Sequence, residues 1–388
     1  MMAGGAEPQE AAGGPAELIQ VCRPLLPAAE RLLPWLRRID ATRWYSNYGP
    51  LVLELEWRLA RQFGQRGPVV VSAASGVAAL QGAILALAGR ARPERPLALL
   101  PAYTFIGSSA AVEQCGYLPH LLDVDAESWA LAPQRIAAHP LLGRAGLVMP
   151  VAPYGRAVPV AAWERFAAET GVPVVIDAAA AFQALCDAPE ATIGRVPVAV
   201  SFQATKVFST GEGGAVLCRD AGLLARVRRA LNFGFEASRL CTGEGTNGKM
   251  SEYAAAVGLA ELEGWEAKRA AWAGVAARYR AAAARRGLAA RFVLAPEIGA
   301  NYALFLAEDA AEAERIMVML AEGAIGHRLW YGHGLQGQPA LTGRGRDPLP
   351  VTEALAPRVI GLPASVDMRD AEIERVVAVL AVALGAGR

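Results

Sequence analysis

Charge is scarce in this 388-residue chain. Only 19% of residues are charged, the net charge is +1, and no long basic or acidic block occurs. Nucleic-acid binding by counterion release needs clustered lysine and arginine, so no nucleic-acid partner is expected and a small molecule is the better prior. Cysteine is scarce too. Cys22, Cys115, Cys186, Cys218 and Cys241 are odd in number and widely spaced, with no C-x-x-C pair. Neither a disulfide framework nor a metal site is indicated, and buried free thiols in a reducing cytosol are expected. Met1 to Pro15 lack the basic and apolar regions of a signal peptide, and residues 1–18 read as a flexible tail. Residues 67–89 carry no charge, yet Ser72, Ser75, Gly76, Gln81 and Gly82 interrupt the run. A strand and a helix explain it better than a membrane span, so a soluble, cytoplasmic chain with no membrane partner is expected. The order G-x-x-x-x-G-K-[ST] is missing, and no G-x-G-x-x-G follows a first strand, which disfavours a P-loop protein and an oxidoreductase.

What is present is apolar sequence, 54% of the chain, enough for a large core and for two domains. From residue 68 short apolar runs alternate with amphipathic stretches. Strands are expected at 68–72, 97–100, 118–123, 146–151, 172–177, 196–202 and 214–218, with helices at 75–88, 105–115 and 159–170. Continuous apolar strands separated by helices imply an α/β fold with a mostly parallel sheet covered on both faces. Ligands then gather at the carboxyl ends of the strands. Helical spacing dominates 251–286, followed by a strand near 302–306 and helices near 310–322 and 370–384. The change of pattern predicts a large domain over 19–265 and a smaller α/β domain over 266–388.

Chemistry concentrates at a few strand ends. Lys206 follows an apolar strand and precedes a Gly-rich segment, in Ser201-Phe-Gln-Ala-Thr-Lys206 and on to Gly214. A desolvated lysine is a usable amine nucleophile that can form an imine with pyridoxal 5'-phosphate; the plain alternative is a surface lysine. Asp177 ends the apolar run Val174-Val-Ile, where a carboxylate can pair with a pyridinium nitrogen; capping a helix or holding magnesium would suit it equally. Ser75-Gly76-Val77 opens a helix whose free amides suit a phosphate, or make an ordinary cap. Phe105 follows a strand and can stack on a flat ring or fill the core.

In order, Ser75-Gly76, Pro101-x-x-Thr104-Phe105, Asp177-Ala-Ala, Ser201-Phe-x-Ala-Thr-Lys206, Glu212-Gly-Gly and Asn247-Gly-Lys-Met-Ser251 resemble the DegT/DnrJ/EryC1/StrS family. Its members are fold-type-I pyridoxal-phosphate enzymes, chiefly nucleotide-sugar aminotransferases. The resemblance implies that Lys206 is the Schiff-base lysine and proton shuttle and that Asp177 pairs with the pyridine nitrogen. Phe105 would stack on the ring. Ser201, Gly76 and Val77, with Ser75, would hold the phosphate. Ala180 and Gln203 would also lie against the cofactor, and Asn247 would reach the phosphate of a neighbouring subunit in a homodimer with shared sites. The stretches Arg43–Pro50, Ala204–Phe208, Asn232–Phe235 and Asn247–Glu252 are similar to viosamine-type TDP-4-amino-4,6-dideoxyglucose aminotransferases. That similarity implies a 4-keto-6-deoxy sugar nucleotide as acceptor, glutamate as donor and ping-pong kinetics. Asn47, Tyr48, Lys249, Trp330 and His333 are the substrate candidates, His333 having an ordinary loop role as its alternative.

The chain departs from the family in four places. Ala180 stands where His or Gln is usual, Gln203 where His is usual and Val77 where Thr is usual, and His327–Gly334 lacks the commoner Tyr-Pro-Leu-His pattern. A sugar dehydratase of the same family, which would carry histidine in place of Lys206, and a non-catalytic cofactor-binding module remain as alternatives.

Overall fold

The computed structural model describes residues 17–235 and 239–385. The tail expected over 1–18 therefore lies, save its last two residues, outside the described residues. Two four-stranded sheets join edge to edge. The first has the order β1-β7-β6-β5, built from β1 (Val70–Ala73), β7 (Gly214–Leu217), β6 (Val198–Ser201) and β5 (Ile176–Asp177). The second runs β10-β3-β2-β4, from β10 (Gly345–Arg346), β3 (Leu118–Leu122), β2 (Leu97–Pro101) and β4 (Ala145–Val148). Parallel bridges Val148–Val174 and Val151–Asp177 stitch β4 to β5. Only β7 runs against its neighbours; every other pairing in these two sheets is parallel. This is the mostly parallel sheet expected from the continuous apolar runs.

Burial on both faces explains those runs. Val70 joins Leu55 and Leu59 in one core cluster, while Val71 joins Ala79 and Leu80 in the other. Alternate residues of one strand thus feed opposite layers. On one face lies α2 (Pro50–Gln62), packed on β1. On the other lies α3 (Gly76–Leu87), which begins where β1 ends, and next to it α4 (Ile106–Gln114). Ser75 caps α3 as the sequence predicts, its Oγ accepting from the Ala78 amide at 3.1 Å.

Some elements escaped the sequence reading. The first helix α1 (Ala29–Thr42) has no capping side chain and carries Pro34 inside it. The start of α2 is capped by Glu252, whose carboxylate accepts from Leu51 and Val52 at 2.8 and 2.9 Å. The helix Ala221–Leu231 was also unread. The single helical stretch expected over 251–286 is two helices, Glu252–Glu263 and Trp265–Arg285. They part at Gly264, where a Cβ would stand 2.7 Å from the Arg31 guanidinium.

A third, antiparallel sheet places β9 (Ala303–Leu306) between β8 (Phe292–Leu294) and β11 (Val359–Leu362). The helices Ala310–Glu322 and Asp370–Ala383 pack together beside it. The segment at Ile19–Arg23 docks onto this C-terminal part: Ile19 pairs with Ile325, and the Ala364 amide donates to the Val21 carbonyl. Among the described residues no helix is long and apolar enough to cross a membrane.

Candidate active site

The carboxyl ends of β1, β2, β5 and β6 bring the predicted residues together. Gly76 opens α3 directly against Ser201 at the end of β6. A Cβ on Gly76 would stand 2.8 Å from the Ser201 Cβ and 3.1 Å from its Oγ. The absent side chain leaves a cradle bounded by a serine hydroxyl and by the amides of Gly76 and Val77. Those amides stand at the helix positions that have no intrahelical acceptor. Beside the cradle, Val77 and the ring of Phe105 flank Gly107, at 3.4 and 3.3 Å from its Cβ position. Phe105 is 61% exposed, so its ring is free to take a flat partner rather than filling the core.

Asp177 is buried at the end of β5. It accepts hydrogen bonds from Ser108 Oγ at 2.6 Å and from the Ala179 amide at 3.0 Å. Ser108 is held in turn by Thr104 Oγ1 at 2.9 Å, one helical turn away. Burial pushes the Asp177 carboxyl above its usual range, while Ser108, Ala179 and the charge of nearby Lys206 pull it back. A buried carboxylate with no cation in contact is costly, and its environment asks for a positive partner.

Lys206 rides on a closed loop. Phe202 donates to the Gly213 carbonyl, Thr210 to the Phe202 carbonyl and Ala204 to the Gly211 carbonyl. Its Nζ lies 3.4 Å from the Tyr302 hydroxyl. Tyr302 belongs to a buried aromatic group with Tyr103, Tyr154 and Trp129, in which Ala180 is also packed. The Tyr103 and Tyr154 hydroxyls meet at 3.0 Å, and the Tyr154 amide donates to the Tyr331 hydroxyl at 2.9 Å. Burial raises all three of these phenols, which keeps them neutral donors and acceptors. Beside Ala180, the buried Oδ1 of Asn301 has no hydrogen-bond partner among the described residues; it and the Ala180 carbonyl both crowd the Cβ position of Gly299, at 3.0 and 3.1 Å.

The Gln203 Oε1 accepts from the Thr205 amide at 2.9 Å and from its hydroxyl at 2.5 Å. The Tyr48 hydroxyl donates to the Arg228 carbonyl at 3.1 Å, beneath the Arg228 guanidinium, and Asn47 is exposed next to it. Lys249 donates to Asn247 Oδ1 at 2.7 Å and lies 4.3 Å from the Phe233 ring centre. Asn247 is exposed while Tyr48 and Lys249 are half-buried, and Gly248, between Asn247 and Lys249, accepts from the Ala74 amide at 2.7 Å, which ties that loop to the turn before α3. Trp330 packs edge-on against Tyr302 at 5.3 Å, and His333 is exposed. Sequence reasoning missed Ser108, Asn301, Tyr154 and Tyr302. Only Ser108 carried a local signal, its helical i+4 spacing from Thr104 just past the end of β2.

Outside this region, His120 and His139 both donate Nε2–H to Asp347, at 2.9 and 3.0 Å. The Leu141 amide donates to His139 Nδ1 at 3.2 Å, which fixes that ring's proton on Nε2. The cluster is thereby a hydrogen-bonded clamp that ties the segment after β10 to β3.

The family model for DegT/DnrJ/EryC1/StrS aminotransferases matches residues 28–381. Protein Rv3402c of Mycobacterium tuberculosis is 30% identical over 95% of this chain and 91% of its own. The dTDP-4-amino-4,6-dideoxy-D-glucose transaminase of Shigella dysenteriae is 31% identical over 63% of this chain and 65% of its own. Among solved structures, DesI in the presence of its TDP-sugar product superposes with a TM-score of 0.81 at 30% identity, covering 96% of this chain and 93% of DesI.

Proposed function

The chain belongs to the DegT/DnrJ/EryC1/StrS aminotransferase family, and from that premise we propose that it moves an amino group from glutamate to a nucleotide-linked 4-keto-6-deoxyhexose. The observation that carries the reading is a buried Asp177, in no ion pair among the described residues, at the end of a strand beside the one that leads to Lys206. The residues present fit pyridoxal 5'-phosphate, this family's cofactor. The Gly76–Ser201 cradle, which a Cβ would fill, suits its phosphate. The exposed Phe105 face suits its ring, and Asp177 suits the pyridinium nitrogen. When bound on Lys206, the cofactor supplies an electron sink for the broken C–H bond.

The rest is the work of this chain. Asp177, held by Ser108 and Ala179, stays ionised once a cation lies against it. The Lys206 amine, when free, takes the proton from the donor's alpha carbon and later returns one to the sugar carbon. Both reactants must reach this one amine, which supports a ping-pong order in which oxoglutarate leaves before the sugar enters. The exposed Asn247 and Phe233, with the half-buried Lys249 between them, support a homodimer in which that loop meets a second copy's site. The Shigella relative is named for a dTDP-linked amino sugar, and DesI was solved with a TDP-sugar product; these support a sugar nucleotide as acceptor.

The test is the visible absorption spectrum of purified protein loaded with pyridoxal phosphate, before and after glutamate. A band that glutamate bleaches and a keto-sugar nucleotide restores is expected for the wild type. A band that glutamate leaves unchanged would overturn the donor assignment.

A further inference from the structure

Lys206 has one recorded hydrogen-bond partner for its amine among the described residues, the Tyr302 hydroxyl at 3.4 Å. The neighbouring residue makes a matching contact. Asn301 Nδ2 donates to the Thr205 carbonyl at 3.1 Å. Two adjacent residues of the C-terminal part therefore grip two adjacent residues of the lysine loop, one by its backbone and one by its side chain. Both gripping residues are only 7% exposed.

The grip is rigidly mounted. The Tyr302 amide donates to the Gly299 carbonyl at 3.0 Å, and the Gly299 amide donates to the Tyr154 carbonyl at 2.7 Å. β9 follows at once, paired on both sides. The Tyr302 ring stands edge-on between Tyr154 and Trp330, each 5.3 Å away, so it cannot swing clear. A hydroxyl fixed in this way defines where the flexible lysine stem ends.

We propose that Tyr302 is a positioning residue for Lys206, setting the reach of its amine, with Asn301 fixing the backbone on which that lysine rides. The inference rests on the reading of Lys206 as the reactive lysine. Its first test therefore needs no cofactor. In cofactor-free protein, the rate at which acetic anhydride acylates Lys206 is followed by mass spectrometry of the peptide. Tyr302→Phe keeps the ring packing and deletes only the hydroxyl oxygen. Its acylation rate is expected to differ from wild type by at least about threefold, because the amine loses the contact that fixes its place. In cofactor-loaded protein, kcat should fall several-fold with the glutamate KM near wild type. Asn301→Ala should lower kcat several-fold as well. An unchanged acylation rate in a folded Tyr302→Phe protein would overturn the role of Tyr302, and a wild-type kcat in Asn301→Ala would overturn that of Asn301. A changed acylation rate in a protein that never develops a visible band would sink the cofactor reading and leave the Tyr302–Lys206 contact standing.

Discussion

Asp177 and Asp347 each sit just past or at the end of a strand and each gathers two hydrogen bonds, yet they are opposite cases. Asp347 is partly exposed and receives two imidazole N–H groups, which hold its carboxyl below the usual range once burial is outweighed. Asp177 is buried, receives one hydroxyl and one amide, and is pushed above that range. The first carboxylate is complete within the protein. Among the described residues the second has no cation in an ion pair with it, and the Asn301 Oδ1 nearby has no hydrogen-bond partner. Unmet polar groups inside a folded chain mark where something else is meant to bind. The clamp at Asp347 shows that this fold can satisfy a carboxylate from within.

The sharpest way to break the comparison is to remove the amine that faces the incomplete carboxylate. Lys206→Ala should bring turnover below about one-thousandth of wild type and abolish the glutamate-sensitive visible band, because no other amine stands in its place. Steady-state assays with glutamate and a keto-sugar nucleotide, alongside spectra, check it. Substantial residual turnover would move the chemistry elsewhere.

Asp177→Asn should cost turnover roughly a hundredfold, through a weaker electron sink. Its effect on stability is expected to have the unusual sign. A carboxyl whose folded pKa is raised contributes stability below its unfolded value, near 4, and loses it as pH rises through the raised value. Cofactor-free Asp177→Asn should therefore melt no lower than wild type at pH 8, and its advantage should fade towards pH 4. A large drop in melting temperature at pH 8 would mean that the ionised Asp177 is already well compensated.

Gly76→Ala tests the empty space on the other side of the site. The new methyl would meet Ser201 Cβ at 2.8 Å and its Cα at 3.3 Å, neither on a flexible side-chain end. We expect cofactor affinity to fall at least tenfold, with about 1–2 kcal/mol lost from the cofactor-free protein by overpacking. Fluorescence titration with pyridoxal phosphate and chemical denaturation separate the two effects.

These features were unequally legible in the sequence. The strand-end placement of Asp177 and Ser201, with Lys206 in the loop that follows, comes from short apolar runs, and the Ser75 cap from a serine before a helical pattern. Those signals are local, and the structure bears them out as positions. The grip of Asn301 and Tyr302 on Thr205 and Lys206 was not legible, because it joins residues 96 positions apart. The same holds for α2, whose start is capped by Glu252 from two hundred residues away. The strand β11 passed unread because Val359–Leu362 is four residues with a glycine among them, a run too short and too mixed to declare a period. Local chemistry announces itself; chemistry made by tertiary contact does not.

The smallest expected effect lies at the completed carboxylate, and it is the control for the others. Asp347→Asn keeps one acceptor oxygen but turns an amide N–H₂ towards an imidazole. His139 cannot change tautomer to receive it, since its Nδ1 already accepts from Leu141. The amide must therefore turn its N–H₂ to His120, whose ring has to give up its Nε2 proton, and two bonds to a carboxylate become two neutral ones. Because the side chain is 38% exposed, solvent screens the charge, and a cost of about 1 kcal/mol is appropriate. That corresponds to a melting shift on the order of two degrees in a protein of this size. The pH dependence runs opposite to that of Asp177. A carboxyl with a lowered folded pKa contributes stability above its unfolded value, and that contribution is lost as pH falls through the lowered one. The difference between wild type and Asp347→Asn should thus be full at pH 7 and shrink below about pH 4, while kcat and the visible band stay at wild-type values. A change in the band would tie the clamp to the site and erase the contrast between the two carboxylates.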